Sequence, residues 1–165
     1  MNSFAHSIVC TFLLLAVCFA AEPPKDTKPA TPAIQPGHLE LTLKAWEAHE
    51  KNNHAEALKA AEKCITAFEA PAAKLQEKFE KEKVTTPVGE VSAEEKKAIE
   101  GNGVLNDVAA CQIIRGLSLV ALKKNDDARS AFKAAEKLSH ARVWDPQGWF
   151  WSPAEKAKEE LENLK

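Results

Sequence analysis

Two histidines lie close enough in the sequence to suggest a shared metal ion, in the stretch His49-Glu-Lys-Asn-Asn-His54. Zinc-binding helices carry two histidines four residues apart, because that spacing places both side chains on one helix face. Here the spacing is five residues, and the Asn52-Asn53 pair between them is typical of a turn. We therefore expect no metal site, and we expect His49 to be a partly exposed side chain.

No other group of residues forms a recognisable catalytic pattern in this sequence. The serines and cysteines have no base at a known spacing, and no glycine-rich phosphate loop follows a strand-like run. Lysine and arginine number 22 against 24 acidic residues, so the net charge of −2 offers no attraction to nucleic acid. We expect a protein without enzymatic activity, without a cofactor and without a nucleic-acid partner.

The most unusual stretch for chemistry is Trp144 to Trp151, which holds three of the four tryptophans. In an extended segment, Trp149 and Trp151 would lie on one side and Phe150 on the other. One interpretation is an aromatic plug that seals the end of a helical stack. The other is an exposed aromatic patch that binds a protein, a glycan or a membrane interface. Both interpretations remain open at the level of sequence.

The elements around these residues are helical, because apolar and small residues recur at steps of three and four. Ala45 and Ala48 precede Ala57 by 12 and 9 residues, across a break at Asn52-Asn53. Gly116 and Leu119 precede Ala128 by the same intervals, across a break at Lys123-Lys124-Asn125. Helices that meet at a close approach need such small residues on the facing side. The sequence therefore predicts an all-α fold with two helix–turn–helix units.

This spacing resembles the tetratricopeptide repeat (TPR), a helix–turn–helix unit with small and aromatic residues at fixed offsets. The resemblance covers residues 39–68 and 111–138. It implies a groove lined by the first helix of each unit, and the positions that match it are Leu39, Thr42, Trp46, His49, Ile113, Leu117 and Val120. TPR grooves that clamp a peptide carboxylate carry lysine and asparagine at the positions of Thr42 and Trp46. We therefore expect an apolar groove for a helix or an apolar peptide, unless the insertion between the repeats fills it.

That insertion spans Pro71 to Gly103 and is predicted to contain two short helices. Pro71 suits the first turn of a helix that would end near Lys83. Ser92 and Glu95 have the spacing of a capping box and predict a second helix. Beyond the tryptophans, Ser152 and Pro153 begin a C-terminal helix whose position suits the cap of a repeat stack. Cys64 and Cys111 fall on helical patterns, either as free thiols or as a disulfide.

The N-terminal sequence is predicted to direct the protein to or across a membrane. Residues 1–21 carry no charged side chain, and we interpret them as a signal peptide cleaved after Ala20 or as a retained anchor. Leu15-Ala16-Val17-Cys18 also looks like a lipobox, although Val17 stands where that motif has a small residue. Five prolines mark residues 22–37 as a linker, and residues 38–165 form the TPR-like helical domain.

The predicted function is that of a protein-binding scaffold, either membrane-associated or exported. The chain is similar to the small bacterial TPR proteins called bacterial kinesin light chains, which implies an adaptor between bacterial tubulin filaments and membrane on the cytoplasmic side. The alternative is an exported, periplasmic accessory or glycan-binding module that uses Trp149 and Trp151. The partner-binding residues predicted from both lines are Thr42, Trp46, His49, Ile113, Leu117, Val120, Trp149 and Trp151.

Overall fold

The computed structural model describes residues 37–164, so the predictions for residues 1–36 lie outside the described part of the chain. Within that part, 72% of the residues are helical, which confirms the all-α prediction. The elements are α1 (His38–Glu50), α2 (His54–Glu82), α3 (Ala93–Glu100), α4 (Gly103–Ala121), α5 (Asn125–Glu136), β1 (Val143–Asp145), β2 (Trp149–Trp151) and α6 (Pro153–Asn163).

Helix α4 is the centre of the fold. It packs against α1, α2, α5 and α6, and 12 of its 19 residues are buried. By length and composition it is the one helix of residues 37–164 that could cross a membrane, but 61% of its apolar stretch is buried in the protein. Its apolar character is accounted for by contacts on several sides, as in the core helix of a helical domain.

The fold contains two helical hairpins, α1–α2 and α4–α5. The first helix of each hairpin ends in the same kind of turn, and the two turns lie 71 residues apart in the sequence. Asn52 and Lys123 both adopt a left-handed conformation, with φ of 57° and 60°. In each turn, the amide that follows the left-handed residue donates a hydrogen bond to the carbonyl five residues before it, which makes both turns Schellman motifs. These hydrogen bonds run from Asn53 N–H to the Ala48 carbonyl and from Lys124 N–H to the Leu119 carbonyl, each 2.8 Å long.

The second hairpin is held together by a very close approach of α4 and α5. Gly116 faces the buried ring of Phe132, and a Cβ atom added at Gly116 would lie 2.3 to 2.6 Å from three ring atoms. The ring therefore occupies the space that any side chain at position 116 would need. This contact is the physical reason for the small and large residues that the sequence places at these offsets.

The prediction of a separate helix beginning at Pro71 was wrong. Pro71 lies inside α2, which runs without interruption for 29 residues. Proline in a helix interior removes one hydrogen bond, to the carbonyl four residues earlier. Pro71 and Ala67 are both exposed, so water can reach that carbonyl. The buried stripe also continues past the proline through Ala72, Gln76 and Phe79, and this packing keeps the helix intact.

The rest of the predicted insertion has the expected form. Residues 84–92 connect α2 to α3 without a helix. Ser92 caps α3, with both hydrogen bonds of the capping box present between Ser92 and Glu95. Helix α3 ends at Glu100 and is followed by its C-cap residue Gly101, and α4 begins at Gly103.

The tryptophan stretch forms an antiparallel β-hairpin, whereas its sequence pattern predicted only an extended segment. Strands β1 and β2 pair Trp144 with Phe150 and Asp145 with Trp149. The turn between them contains Pro146 and closes at Gly148, with φ of 113°. Helix α6 follows directly, and the Ser152 side chain caps it as predicted by accepting a hydrogen bond from the Glu155 amide.

Candidate functional site

Helices α1 and α4 and the β-hairpin enclose a cleft of about 400 Å³, which we call the tryptophan cleft. Its apolar lining comes from Trp46, Ile113, Leu117, Trp149 and Trp151. These five residues belong to the eight predicted to bind a partner, and they come from three separate elements. The polar lining comes from the hairpin turn and the start of α6, and it consists of Asp145, Ser152, Glu155, Lys156 and Glu159.

A second cleft of about 540 Å³ adjoins the first, because Trp46 lines both. We call it the histidine cleft, because His38 lines it. Its apolar lining includes Leu39, Leu43 and Trp144, of which the leucines are 57% and 58% exposed. All four tryptophans of the chain therefore line one or both of two neighbouring clefts. Such a concentration of exposed apolar surface is typical of a binding face.

The remaining predicted residues have other positions. Thr42 lies at the floor of the histidine cleft and is only 4% exposed. Its hydroxyl donates to the His38 carbonyl and lies 3.3 Å from the Cys111 sulfur. His49 and Val120 are half-buried and line neither cleft, and His49 Nδ1 lies 3.3 Å from the Ser118 hydroxyl.

The aromatic residues of the hairpin differ in burial as strand alternation requires. Phe150 is 3% exposed and points inward, and its ring centroid lies 4.9 Å from that of Trp144. Trp149 is 42% exposed and Trp151 is half-buried. Trp144 and Phe150 are paired across the strands and share the face that lines the histidine cleft, whereas Asp145, Trp149 and Trp151 line the tryptophan cleft. The hairpin thus combines both interpretations of the sequence, because Phe150 is packed in the core while Trp144 and Trp149 are exposed.

Arg142 fixes the hairpin to the helices. Its guanidinium donates to the carbonyls of Thr86 and Pro87, and its backbone amide donates to the Asn106 side chain at 2.9 Å. Burial lowers the pKa of this guanidinium, although arginine stays charged in any case. Two further backbone hydrogen bonds, of 2.7 and 2.9 Å, join Gly89 to Phe150. The hairpin is therefore positioned by the loop between α2 and α3, which no local sequence pattern indicated.

The start of α1 is tied to α4 by a hydrogen bond between His38 and Asp107. His38 Nδ1 lies 2.5 Å from the Asp107 carboxylate, which is largely buried. Burial raises the pKa of Asp107, while the hydrogen bond and the charge of His38 act in the opposite direction. This pair stands at the edge of the histidine cleft and sets the position of Leu39 and Leu43 on the first turns of α1.

Cys64 and Cys111 are both free and buried, which answers the question left open by their sequence positions. They come from α2 and α4 and share the Thr42 hydroxyl as a neighbour, at 3.7 and 3.3 Å. The neighbouring thiol and burial both raise the pKa of Cys111. The hydrogen bond with Cys111 lowers the pKa of Cys64, while burial acts in the opposite direction. The protonated Cys111 thiol is a poor nucleophile, and both sulfurs are buried in the core, where they serve as packing.

His49 and His54 lie on either side of the α1–α2 turn, with ring centroids 5.4 Å apart. Among residues 37–164 there is no cluster of three or more histidine, cysteine, aspartate or glutamate side chains that could hold a metal ion. The two rings pack against each other, and Trp46 adds a third ring beside His49 at 6.2 Å.

Comparison of the chain with protein-family models, with curated proteins and with solved structures finds no match.

Proposed function

We propose that the protein is a non-enzymatic, TPR-like interaction module that binds a segment of a partner protein along its two clefts. The observation that carries the proposal is the tryptophan cleft, where side chains from α1, α4 and the hairpin converge. The apolar surface continues into the histidine cleft through Leu39 and Leu43, which are exposed at successive turns of α1. A helix or an extended peptide would cover this surface by burying apolar anchors in both clefts.

Two features support the TPR-like part of the proposal. The two hairpins have turns with the same hydrogen bonds at positions 71 residues apart, close to twice a 34-residue repeat. The first helices of the two hairpins, α1 and α4, provide Trp46, Ile113 and Leu117 to the cleft, as a TPR groove would require.

A narrower form of the proposal makes the protein an adaptor. If the resemblance of the sequence to the bacterial kinesin light chains extends to function, the partner is a bacterial tubulin filament. Residues 1–21 would then act as a membrane anchor, with the repeats on the cytoplasmic face. Intact mass and protease accessibility in the native cells test this arrangement. A full-length, protected product fits the adaptor, whereas a product beginning at Ala21 and accessible from outside would reject it.

The second candidate is an exported periplasmic accessory or glycan-binding module. Trp149 favours it, because its indole is 42% exposed and presents a flat surface on which a sugar ring can stack. Binding to insoluble polysaccharide should then disappear in a Trp149→Ala, Trp151→Ala variant that keeps its helical content. Unchanged binding in that variant would remove this candidate.

The peptide-binding proposal is tested by selecting peptides from a displayed random library on the wild-type protein. Selected peptides should bind about tenfold more weakly to Trp149→Ser and to Leu43→Ser variants, because each change removes an apolar anchor. Leu122→Ser is the matched control, since Leu122 is an exposed leucine that lines neither cleft. Peptides that bind all three variants equally would contradict the proposal. Purified tubulin-type filaments can be tested on the same variants by co-sedimentation.

A further inference from the structure

The tryptophan cleft combines indole rings with carboxylates. Trp46, Trp149 and Trp151 line it together with Asp145 and two glutamates of α6, Glu155 and Glu159. The face of an indole ring carries negative electrostatic potential and attracts cations. Carboxylates beside such rings also attract cations, because they carry a full negative charge. The chemical environment of the cleft therefore favours a positively charged group.

The positive charge already present in the cleft is paired with two carboxylates of α6, of which Glu159 also lines the cleft and Glu160 does not. One basic side chain of the described residues, Lys156, lines the cleft. Its ammonium lies 2.8 Å from the Glu160 carboxylate and 3.4 Å from that of Glu159. Glu155 faces Lys158, but both of these side chains are exposed, and water weakens such a pair. The lining as a whole retains more negative than positive charge.

The neighbouring cleft contains an example of the same chemistry within the protein. The Lys96 ammonium lies 3.9 Å from the centroid of the Trp144 ring. This distance is well within the range of a cation–π contact. An indole on this face of the molecule therefore already supports a lysine side chain.

We propose that the tryptophan cleft binds a lysine or arginine side chain of the partner, and that apolar residues next to it in the partner lie along Leu39 and Leu43. This inference rests on the proposed function and names the chemistry of its ligand. The occupant is a peptide segment rather than a free cation, because the exposed leucines of the histidine cleft adjoin the charged site. An acidic segment would meet Asp145, Glu155 and Glu159 and would be repelled.

The probes are two synthetic peptides of equal length, one of leucine and lysine and the other of leucine and glutamate. The tryptophan indole N–H resonances of the full chain report binding to the clefts. We expect the leucine–lysine peptide to shift the resonances of Trp149 and Trp151 and the leucine–glutamate peptide to leave them unchanged. Added salt should weaken the binding, because the pairing charges are accessible to water.

Substitution of the two glutamates tests the contribution of their negative charge. A Glu155→Gln, Glu159→Gln variant keeps the shape of the cleft and should bind the leucine–lysine peptide about three- to tenfold more weakly. The control is Glu50→Gln, Glu162→Gln, in which two exposed glutamates outside both clefts lose the same charge. Its affinity should equal that of the wild type.

Two outcomes overturn the inference in different ways. Equal binding of both peptides, or wild-type affinity in the Glu155→Gln, Glu159→Gln variant, would reject cation recognition and leave the peptide-binding proposal standing. If neither these peptides nor any library-selected peptide shifts the tryptophan resonances, both the inference and the proposed function fail.

Discussion

At Gly116 a single methyl group decides whether α4 and α5 can approach as they do. A Cβ atom at this position would overlap the Phe132 ring, which is fully buried and cannot move into solvent. We expect Gly116→Ala to lower the free energy of unfolding by about 2 kcal/mol, because overpacking outweighs the gain in helix propensity. Chemical denaturation measures this change.

The substitution Gly101→Ala is the control for that prediction. The nearest atoms to a Cβ at Gly101 are backbone oxygens at 3.4 and 3.5 Å, and its backbone conformation is helical. Its effect on the free energy of unfolding should stay within about 0.5 kcal/mol of zero.

Combining Gly116→Ala with Phe132→Leu should destabilise the protein by less than the sum of the single changes, because the shorter side chain leaves room for the methyl group. Full additivity would show that the two residues do not compete for space.

A second prediction at the residue scale concerns pH. Burial lowers the pKa of His49 below its ordinary value of 6.5, the charge of His54 acts in the same direction, and Glu50 opposes both. Below pH 6.5 the unfolded chain therefore binds a proton at this histidine more readily than the folded protein does. The free energy of unfolding should fall as the pH drops from 7 towards 5.

Urea denaturation at several pH values of the wild type and of His49→Gln tests the assignment. The variant should lose part of the pH dependence between pH 6.5 and 5, whatever its stability at neutral pH. Asp107 cannot produce the same slope, because its raised pKa makes the folded state bind protons more readily and stabilises it on acidification. An identical pH dependence in the two proteins would show that His49 does not titrate as proposed.

At the scale of the elements, the α4–α5 turn contains a strain that the sequence can relieve. Lys123 has a φ of 60°, a conformation that costs a residue with a Cβ atom about 1 kcal/mol. Glycine is the usual residue at this position of a Schellman motif. Lys123→Gly should raise the free energy of unfolding by about 0.5 to 1 kcal/mol, as measured by thermal or chemical denaturation.

The adjacent residue provides the control for that substitution. Lys124 has a φ of −101°, which any residue adopts without strain. Lys124→Gly should therefore give no gain in stability, and the added freedom of the unfolded chain should produce a small loss. A gain of the same size at both positions would mean that removal of a positive charge, rather than relief of the backbone, is responsible.

At the scale of the whole molecule, α4 contributes to both clusters of buried residues, one shared with α1 and α2 and the other with α5 and α6. We expect residues 38–163 to unfold in a single cooperative transition. Far-ultraviolet circular dichroism reports the helices, and tryptophan fluorescence reports α1 and the β-hairpin, where the four indoles lie. The two signals should give coincident denaturation curves. Fluorescence that changes at a lower denaturant concentration would show that the β-hairpin separates first.

The helices could be predicted well because their signals are local. The break at Lys123-Lys124-Asn125, the capping box at Ser92 and the Ser152-Pro153 start of α6 each act within one helical turn, so a single sequence contains all the information. Pro71 was misleading for the opposite reason. Its local preference for a helix start was overruled by the buried stripe of α2 packing on α4, a contact between distant parts of the chain.

The candidate site was predicted in part. The resemblance to TPR proteins pointed to Trp46, Ile113 and Leu117, and the strand alternation pointed to Trp149 and Trp151. The carboxylates of the tryptophan cleft were missed, because the spacing of Glu155 and Glu159 is typical of the exposed face of a charged helix. They line a cleft because α6 follows the β-hairpin without an intervening loop.

The sequence by itself determined the helical class, the two matched turns and the small residues at the close approach, since periodicity and backbone conformation depend on neighbouring residues. Only the tertiary structure decided that all four tryptophans line neighbouring clefts. That arrangement depends on Arg142 reaching the carbonyls of Thr86 and Pro87 and on Gly89 pairing with Phe150. These contacts join residues about 55 to 60 positions apart, and such pairings follow from the packing of the whole chain rather than from any local pattern.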